Sequence, residues 1–237
     1  MNPSFPSTFQ FEKTRAIRAA VYREGRLAAR NRILDVGAGE GRVAAEMASR
    51  TGRTVAALDA VPPPRRVQGV RFVRGEAEAL PFASGVLDAV CFHFVLLWLR
   101  DPLQALREAR RALAPGGVVL VLSEPDLESR GDEPDTGLGR AIARCVAQMG
   151  GHPAAGREVA GWLKEAGFRA SVRMTRREWV ALADPEEADH ELAFLHERGI
   201  LDARQVRAMA VEEREAARRG LRRVLLPLAY GVGFTGP

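Results

Sequence analysis

Three glycines stand at alternate positions in residues 33–43, Ile-Leu-Asp-Val-Gly-Ala-Gly-Glu-Gly-Arg-Val. Gly37, Gly39 and Gly41 let the backbone turn tightly and approach a ligand, and a helix opening directly after them would aim its free N–H groups at an anion. The spacing is G-x-G-x-G. Arg42 stands where the dinucleotide fingerprint G-x-G-x-x-G has its third glycine, so pyrophosphate binding is disfavoured. Asp59 lies eighteen residues past Gly41, at the end of a second apolar run, where a carboxylate can accept both hydroxyls of a ribose. These residues together indicate an adenosine without a diphosphate.

The elements needed to hold that loop can be read from periodicity. Residues 12–30 carry Ile17, Val21 and Leu27 at helical spacing; 32–36 is a short buried strand, and 40–50 returns to helical spacing through Val43 and Met47. A second strand is expected over 54–58, and prolines 62–64 then force an extended connection. Further strands are expected at 70–73 and 86–93. Asp101 is a good N-cap and Pro102 suits the first helical position, so a helix follows and stops at Pro115-Gly116-Gly117. Residues 118–122 are uninterrupted Val and Leu, the mark of a strand covered on both faces. Strands alternating with helices predict a doubly wound α/β fold.

Beyond Glu124, residues 125–139 are acidic and rich in Gly and Pro, which predicts a surface loop over a pocket. Helices are expected at 138–149 and 157–166, with Gly167 closing the second, and a strand at 168–175. Residues 185–219 read as two charged helices broken at Gly199, with Asp202 capping the second; 222–234 read as one last strand bent by Gly231 and Gly233.

Composition narrows the setting. The chain of 237 residues carries 35 Lys and Arg against 30 Asp and Glu, a formal net charge of +5. Only Lys13 and Lys164 are lysines, and this mixed, Arg-based balance does not by itself imply nucleic acid. Cys91 and Cys145 lack any disulfide or zinc-ligand spacing, so no metal site is expected. The N-terminal residues have no apolar export core, and the longest apolar run, 89–99, is interrupted by His93 and falls short of the ~20 residues a membrane span needs. A reducing, cytoplasmic setting is expected.

Five blocks recur in order: residues 33–43; Leu58-Asp59; Gly75-Glu76-Ala77-Glu78-Ala79-Leu80-Pro81-Phe82; Leu87-Asp88-Ala89-Val90; and Leu113-Ala114-Pro115-Gly116-Gly117. Together they resemble the class I S-adenosylmethionine-dependent methyltransferases, in particular the subgroup containing the ubiquinone and menaquinone biosynthesis enzymes. The resemblance spans about residues 33–234. It implies a Rossmann-like, doubly wound sheet of seven mostly parallel strands, the last antiparallel, with a small helical cap between the final two. It also implies one methyltransferase domain, with a helical segment at 1–31, a cofactor-binding core at 32–124, and acceptor-side helices with the last strands at 125–237, the cap insert being 184–220.

On that resemblance Asp35 and the loop Gly37, Ala38, Gly39 and Gly41 would hold the methionine end of S-adenosylmethionine. Asp59, with Ala60 beside it, would hold the ribose. Glu76 would accept from the adenine amino group, and Ala77 N–H would donate to the ring. The usual residue at position 76 is Asp, so a longer side chain must fit here. Asp88 belongs to the pattern equally as a structural or a functional acid. His93, at the carboxyl end of the fourth strand, is the candidate catalytic base if the acceptor must lose a proton.

The implied activity is in-line methyl transfer to a small-molecule acceptor, with S-adenosylhomocysteine as product and a monomer or homodimer as the working form. An RNA methyltransferase is a second reading favoured by charge alone and opposed by the lack of an N/D-P-P-Y-type block; a non-catalytic cofactor-binding subunit is a third. Trp98, among Leu96, Leu97 and Leu99, reads as core rather than as an acceptor platform, and so does Cys91. Tyr22 and Phe11 read first as the packing stripe of the N-terminal helix, and second as aromatic faces for a sulfonium.

Overall fold

The computed structural model describes residues 11–63, 65–175, 180, 181 and 186–236. Seven strands form the main sheet: β1 (Ile33–Val36), β2 (Val55–Asp59), β3 (Val70–Arg74), β4 (Leu87–His93), β5 (Leu113–Pro125), β7 (Arg169–Met174) and β10 (Leu228–Phe234). Their order is β3-β2-β1-β4-β5-β10-β7. The pairs from β3 to β5 are parallel, and β10 runs antiparallel to both β5 and β7. The sequence expectation of a doubly wound, mostly parallel seven-stranded sheet therefore holds. Between β1 and β4 the chain changes its direction of travel across the sheet, and at such a switch point the loops after the two strands diverge and leave a crevice.

Alternation along the central strands builds a core on each face. Leu34, Val36, Val90, Phe92, Val119 and Val121 face helices α3 (Pro102–Ala112) and α5 (Ala155–Glu165). Ile33, Ala89, Cys91, Val118, Leu120 and Leu122 face α1 (Arg15–Glu24) and α2 (Arg42–Thr51). Cys91 is thus a core residue, as its sequence context suggests. Helix α3 starts as its sequence predicts: Pro102 occupies its first turn and the Asp101 carboxylate accepts the Gln104 amide at 2.8 Å. The first helix is shorter than its periodicity suggests, because Arg26 takes a left-handed conformation (φ 52°) and 27–29 tighten into a 3₁₀ turn.

A third core holds the cap. Leu138, Ile142, Cys145 and Val146 of α4 (Leu138–Gln148) pack with Leu192 and Leu195 of α6 (Glu186–Glu197). Helix α7 (Ala203–Arg218) begins on a reciprocal cap, with Asp202 accepting from the Gln205 amide and the Gln205 side chain accepting from the Asp202 amide.

Two expectations need correction here. Residues 125–139 are not merely a surface loop: β6 (Gly131–Glu133) pairs with β9 (Arg223–Leu225), which also pairs with β8 (Val180–Ala181), making a second small sheet. The polar sequence disguises burial because its charges neutralise one another. The Arg130 guanidinium is 3% exposed, 2.7 Å from Asp132 and 2.9 Å from Glu191 of α6. Likewise, 222–234 is two strands and not one. Pro227 has no N–H to give a ladder, and its carbonyl accepts the Asp126 amide at 2.9 Å, so the chain leaves the small sheet there and enters the large one. Trp179, for which a core position is the plainer reading of the sequence, lies outside the described residues.

Candidate functional site

The loop after β1 is folded by its glycines. Gly37, Gly39 and Gly41 all have positive φ (64°, 51° and 78°), a region that residues with a Cβ enter only at a cost. A Cβ on Gly37 would lie 2.6 Å from Val95, and one on Gly41 would lie 2.7 Å from Phe72; one on Gly39 would meet nothing within 4 Å. Gly39 therefore presents bare backbone to open space. The Gly39 amide donates to Asp59 Oδ2 at 2.8 Å, and the Val61 amide to Asp59 Oδ1 at 2.9 Å, so the carboxylate after β2 fastens the loop after β1.

A cleft of about 550 Å³ opens over these loops. Asp35, Gly37, Ala38, Gly39, Asp59 and Ala60 line it, as do Glu76, Ala77 and His93. The fold thus brings together nine of the ten sequence candidates, drawn from four separate segments. Gly41 is the exception: it does not line the cleft but forms the head of α2 against Phe72.

Charge in the cleft is shaped by burial. Asp35 is 1% exposed and its Oδ2 has no hydrogen-bond partner. Burial, reinforced by the nearby Asp59 carboxylate, pushes the Asp35 carboxyl up to about 8, against a hydrogen bond from the Ala44 backbone. His93 Nε2 is 2.9 Å from the Thr14 hydroxyl, and burial, with the Arg18 guanidinium nearby, pushes its imidazole down to about 3. The ring therefore stays neutral across the physiological range.

Helix α1 is seated over this end of the sheet by buried charge. Arg18, 1% exposed, donates to Glu46 Oε2 at 2.6 Å and to Thr14 Oγ1 at 2.8 Å, and its guanidinium lies 3.9 Å from the centre of the Phe11 ring. Tyr22 is core, with its hydroxyl on Glu46 at 3.3 Å, whereas Phe11 lines the cleft.

Asp88, left undecided by its sequence, sits at the opposite end of β4. Its carboxylate accepts the Asn31 and Arg32 amides at 3.0 and 2.9 Å and the Arg32 guanidinium at 2.6 Å. The Arg32 contact pulls its carboxyl down to about 2, which marks a structural clamp far from the cleft.

The rest of the cleft wall contains residues that sequence reasoning did not single out. Trp98 packs against the cap core, as its sequence context suggests, with an edge contact to Phe194 at 6.1 Å between centroids, and its half-buried ring also lines the cleft. Phe94, Arg100 and Met149 also line the cleft, and none carries a local signal of a site. Phe94 follows a strand end and takes a left-handed φ of 56°, a strain that only the structure reveals. Among the described residues no group of three or more His, Cys, Asp and Glu could hold a metal ion, and no helix is long and apolar enough to cross a membrane.

Comparison with known proteins adds an independent line. Residues 34–121 match the family model described as a methyltransferase domain. The demethylmenaquinone methyltransferase of Thermus thermophilus is 38% identical over 104 residues, covering 40% of this chain and 47% of that protein. An uncharacterized protein of a Streptomyces fradiae transposon is 35% identical over 147 residues, 57% of this chain and 42% of that one. The chain spans less than half the length of these curated relatives.

Among solved structures, the Haemonchus contortus phosphoethanolamine N-methyltransferase 2, in complex with phosphomonomethylethanolamine and S-adenosylhomocysteine, superposes with a TM-score of 0.61 at 15% identity. That superposition covers 99% of this chain and 58% of that one. The cyclase SpnF superposes with a TM-score of 0.59 at 18% identity, over 99% and 86% of the two chains. At such identities these structures share the fold.

Proposed function

We propose, from the premise that this chain belongs to the class I S-adenosylmethionine-dependent methyltransferase family, that it moves a methyl group from that cofactor to a small-molecule acceptor in the cleft above β1 and β4. The observation that carries the reading is the meeting, in one cleft, of three features: the open backbone of Gly39, the carboxylate of Asp59 that holds it, and the unpartnered oxygen of buried Asp35.

These residues fit the cofactor. The N-terminus of α2 would receive the methionine carboxylate, beside the bare surface of Gly39, because the amides that open a helix and the helix dipole favour an anion there. The vacant Asp35 oxygen would accept from the ammonium. Asp59 keeps acceptor capacity beyond its two amide bonds, since an ionised carboxylate has about four lone-pair sites, and would take the ribose hydroxyls. Glu76 and Ala77, after β3, would meet the adenine. Residues 32–124 would then form the cofactor-binding core, and the segment 93–100 after β4 would meet the acceptor together with Phe11 and the helices and strands of 125–237.

S-Adenosylmethionine supplies an electrophilic methyl on a sulfonium, so no covalent nucleophile on the protein is needed. What the chain must do is align the acceptor and exclude water. His93 is proposed as a hydrogen-bonding group at the acceptor, because an imidazole held neutral by burial accepts a hydrogen bond readily but is a weak proton sink.

The test is calorimetric titration with S-adenosylhomocysteine. Binding is expected for the wild type, and Asp59→Ala should weaken it at least ~10-fold, since it removes both the ribose acceptor and the bond that holds Gly39. A wild-type chain that shows no heat of binding, with melting unchanged by the compound, would overturn the reading.

A further inference from the structure

We propose that the acceptor is a planar aromatic ring bearing an anionic substituent, its faces packed by Phe11, Phe94, Trp98 and Met149 and its charge met by Arg100. This rests on the methyltransferase reading and names the substrate class of the same site.

The cleft divides by chemistry. The carboxylates Glu40, Glu76 and Glu78 come from the loop after β1 and the segment after β3, the side proposed for the cofactor. The remaining wall is assembled from four distant pieces: Phe11 ahead of α1, His93 and Phe94 at the end of β4, Trp98 to Arg100 beyond it, and Met149 closing α4. Three of its side chains are aromatic, and Met149 is left 36% exposed, so a methionine that would ordinarily be covered faces the opening. Aromatic faces and a pliable thioether around one space suit a flat apolar ring, which gains by both desolvation and ring packing.

Phe94 is held there at a cost. A left-handed conformation of a residue with a bulky side chain is strained, and it is maintained by the Phe94 amide donating to the Ser123 carbonyl at 2.9 Å. Strain that persists beside a cleft is consistent with the ring being placed for contact with a ligand.

Arg100 supplies the only exposed cation of this wall, and its guanidinium makes no ion pair or hydrogen bond among the described residues. Its planar fork matches a carboxylate or a phosphate. An aliphatic amine finds no counter-charge on this side of the cleft.

The experiment uses the full chain saturated with S-adenosylhomocysteine and follows the binding of 4-hydroxybenzoate, phenyl phosphate, phenol, cyclohexanecarboxylate and benzylamine by ligand-observed NMR and calorimetry. One of the two aromatic anions is expected to bind at least ten times more tightly than phenol, cyclohexanecarboxylate or benzylamine, and which one does so identifies the anionic group. Trp98→Ala should lower that affinity at least tenfold. Arg100→Gln should remove most of the preference over phenol, and neither variant should shift the affinity for S-adenosylhomocysteine more than twofold, which also reports that each is folded.

Preference for benzylamine or for the saturated ring, or an Arg100→Gln variant that keeps the preference, overturns the proposal. So does a failure of both aromatic anions to bind a chain that still binds S-adenosylhomocysteine, an outcome that leaves the methyltransferase reading standing. Failure of S-adenosylhomocysteine itself to bind removes both.

Discussion

The carboxylate of Glu124 accepts the backbone amide of Val95 at 3.0 Å, and its second oxygen lies 3.4 Å from the amide of Leu97. One buried acid at the end of β5 therefore caps the turn that follows β4, the turn that carries Phe94 on one side and Trp98 on the other. Val95 also packs under Gly37, so the glycine loop after β1 and the aromatic wall of the cleft share this support.

Burial raises the Glu124 carboxyl to about 7, well above its ordinary value, despite the amide bonds that favour its charged form. Asp35 is raised in the same sense, to about 8. A carboxyl that holds its proton longer when folded stabilises the fold at low pH and loses that contribution as pH rises through the folded value. His93 acts oppositely, with its contribution lost as pH falls from ~6.5 towards 3, so from pH 6.5 to about 8 the two carboxyls dominate, before the buried Cys91 thiol adds to the loss at higher pH. Between pH 6.5 and 8.5 the expected loss is about 1 kcal/mol through Glu124 and about 2 through Asp35. For a chain of this size that is a fall in Tm of roughly 5–10 °C. Glu124→Gln should melt along a shallower pH profile, and slopes that coincide would refute the assignment.

The same Asp35 carboxyl gives a signature of ligand binding. At pH 7 it is mostly protonated in the free protein, and an ammonium or sulfonium beside it would drive the proton off. Titrations with S-adenosylhomocysteine in phosphate and in Tris should therefore differ in heat by the buffer ionisation of close to one released proton. Asp35→Asn should abolish the difference and weaken binding by about 10- to 100-fold, as expected for a lost charge-assisted hydrogen bond. Equal heats in the two buffers from the wild type would contradict this role.

Gly37 and Gly39 look interchangeable in the sequence but should respond differently to a methyl group. Gly39→Ala meets no atom and incurs only backbone strain, about 1–2 kcal/mol, yet it fills the surface offered to the cofactor and should reduce affinity at least tenfold. Gly37→Ala drives its Cβ to 2.6 Å from Val95 and adds an overpacking cost of about 1–3 kcal/mol to the same strain. Thermal melts should rank Gly37→Ala well below Gly39→Ala; equal melting temperatures would show that the turn can shift without the clash.

How much of this was legible beforehand depended on the distance over which each feature is encoded. The alternating glycines, the Asp101 and Asp202 caps, and the unbroken apolar run within β5 are local devices, because capping, turn geometry and hydrophobic periodicity act within about ten residues. They predicted the sheet and its glycine loop, and the motif resemblance picked out Asp35, Gly37, Ala38, Gly39, Asp59, Ala60, Glu76 and Ala77, all of which line the cleft; Glu40, Arg42, Glu78 and the apolar residues beside them were not singled out. The opposite wall of the cleft was harder to read: Phe11 was weighed only as a second reading, and Phe94, Arg100 and Met149 have no telling spacing and meet it only after the chain has wound across the sheet. The Thr14 and His93 side chains meet across 79 positions. Asp88 makes the division plain, since the sequence established a carboxylate at a strand start, while only the placement of Asn31 and Arg32 around it made that carboxylate a clamp. Residue types and short-range spacing thus set the fold and the glycine-loop side of the cleft, and long-range packing, which decides which buried charges are shared and which faces stay uncovered, set its aromatic wall.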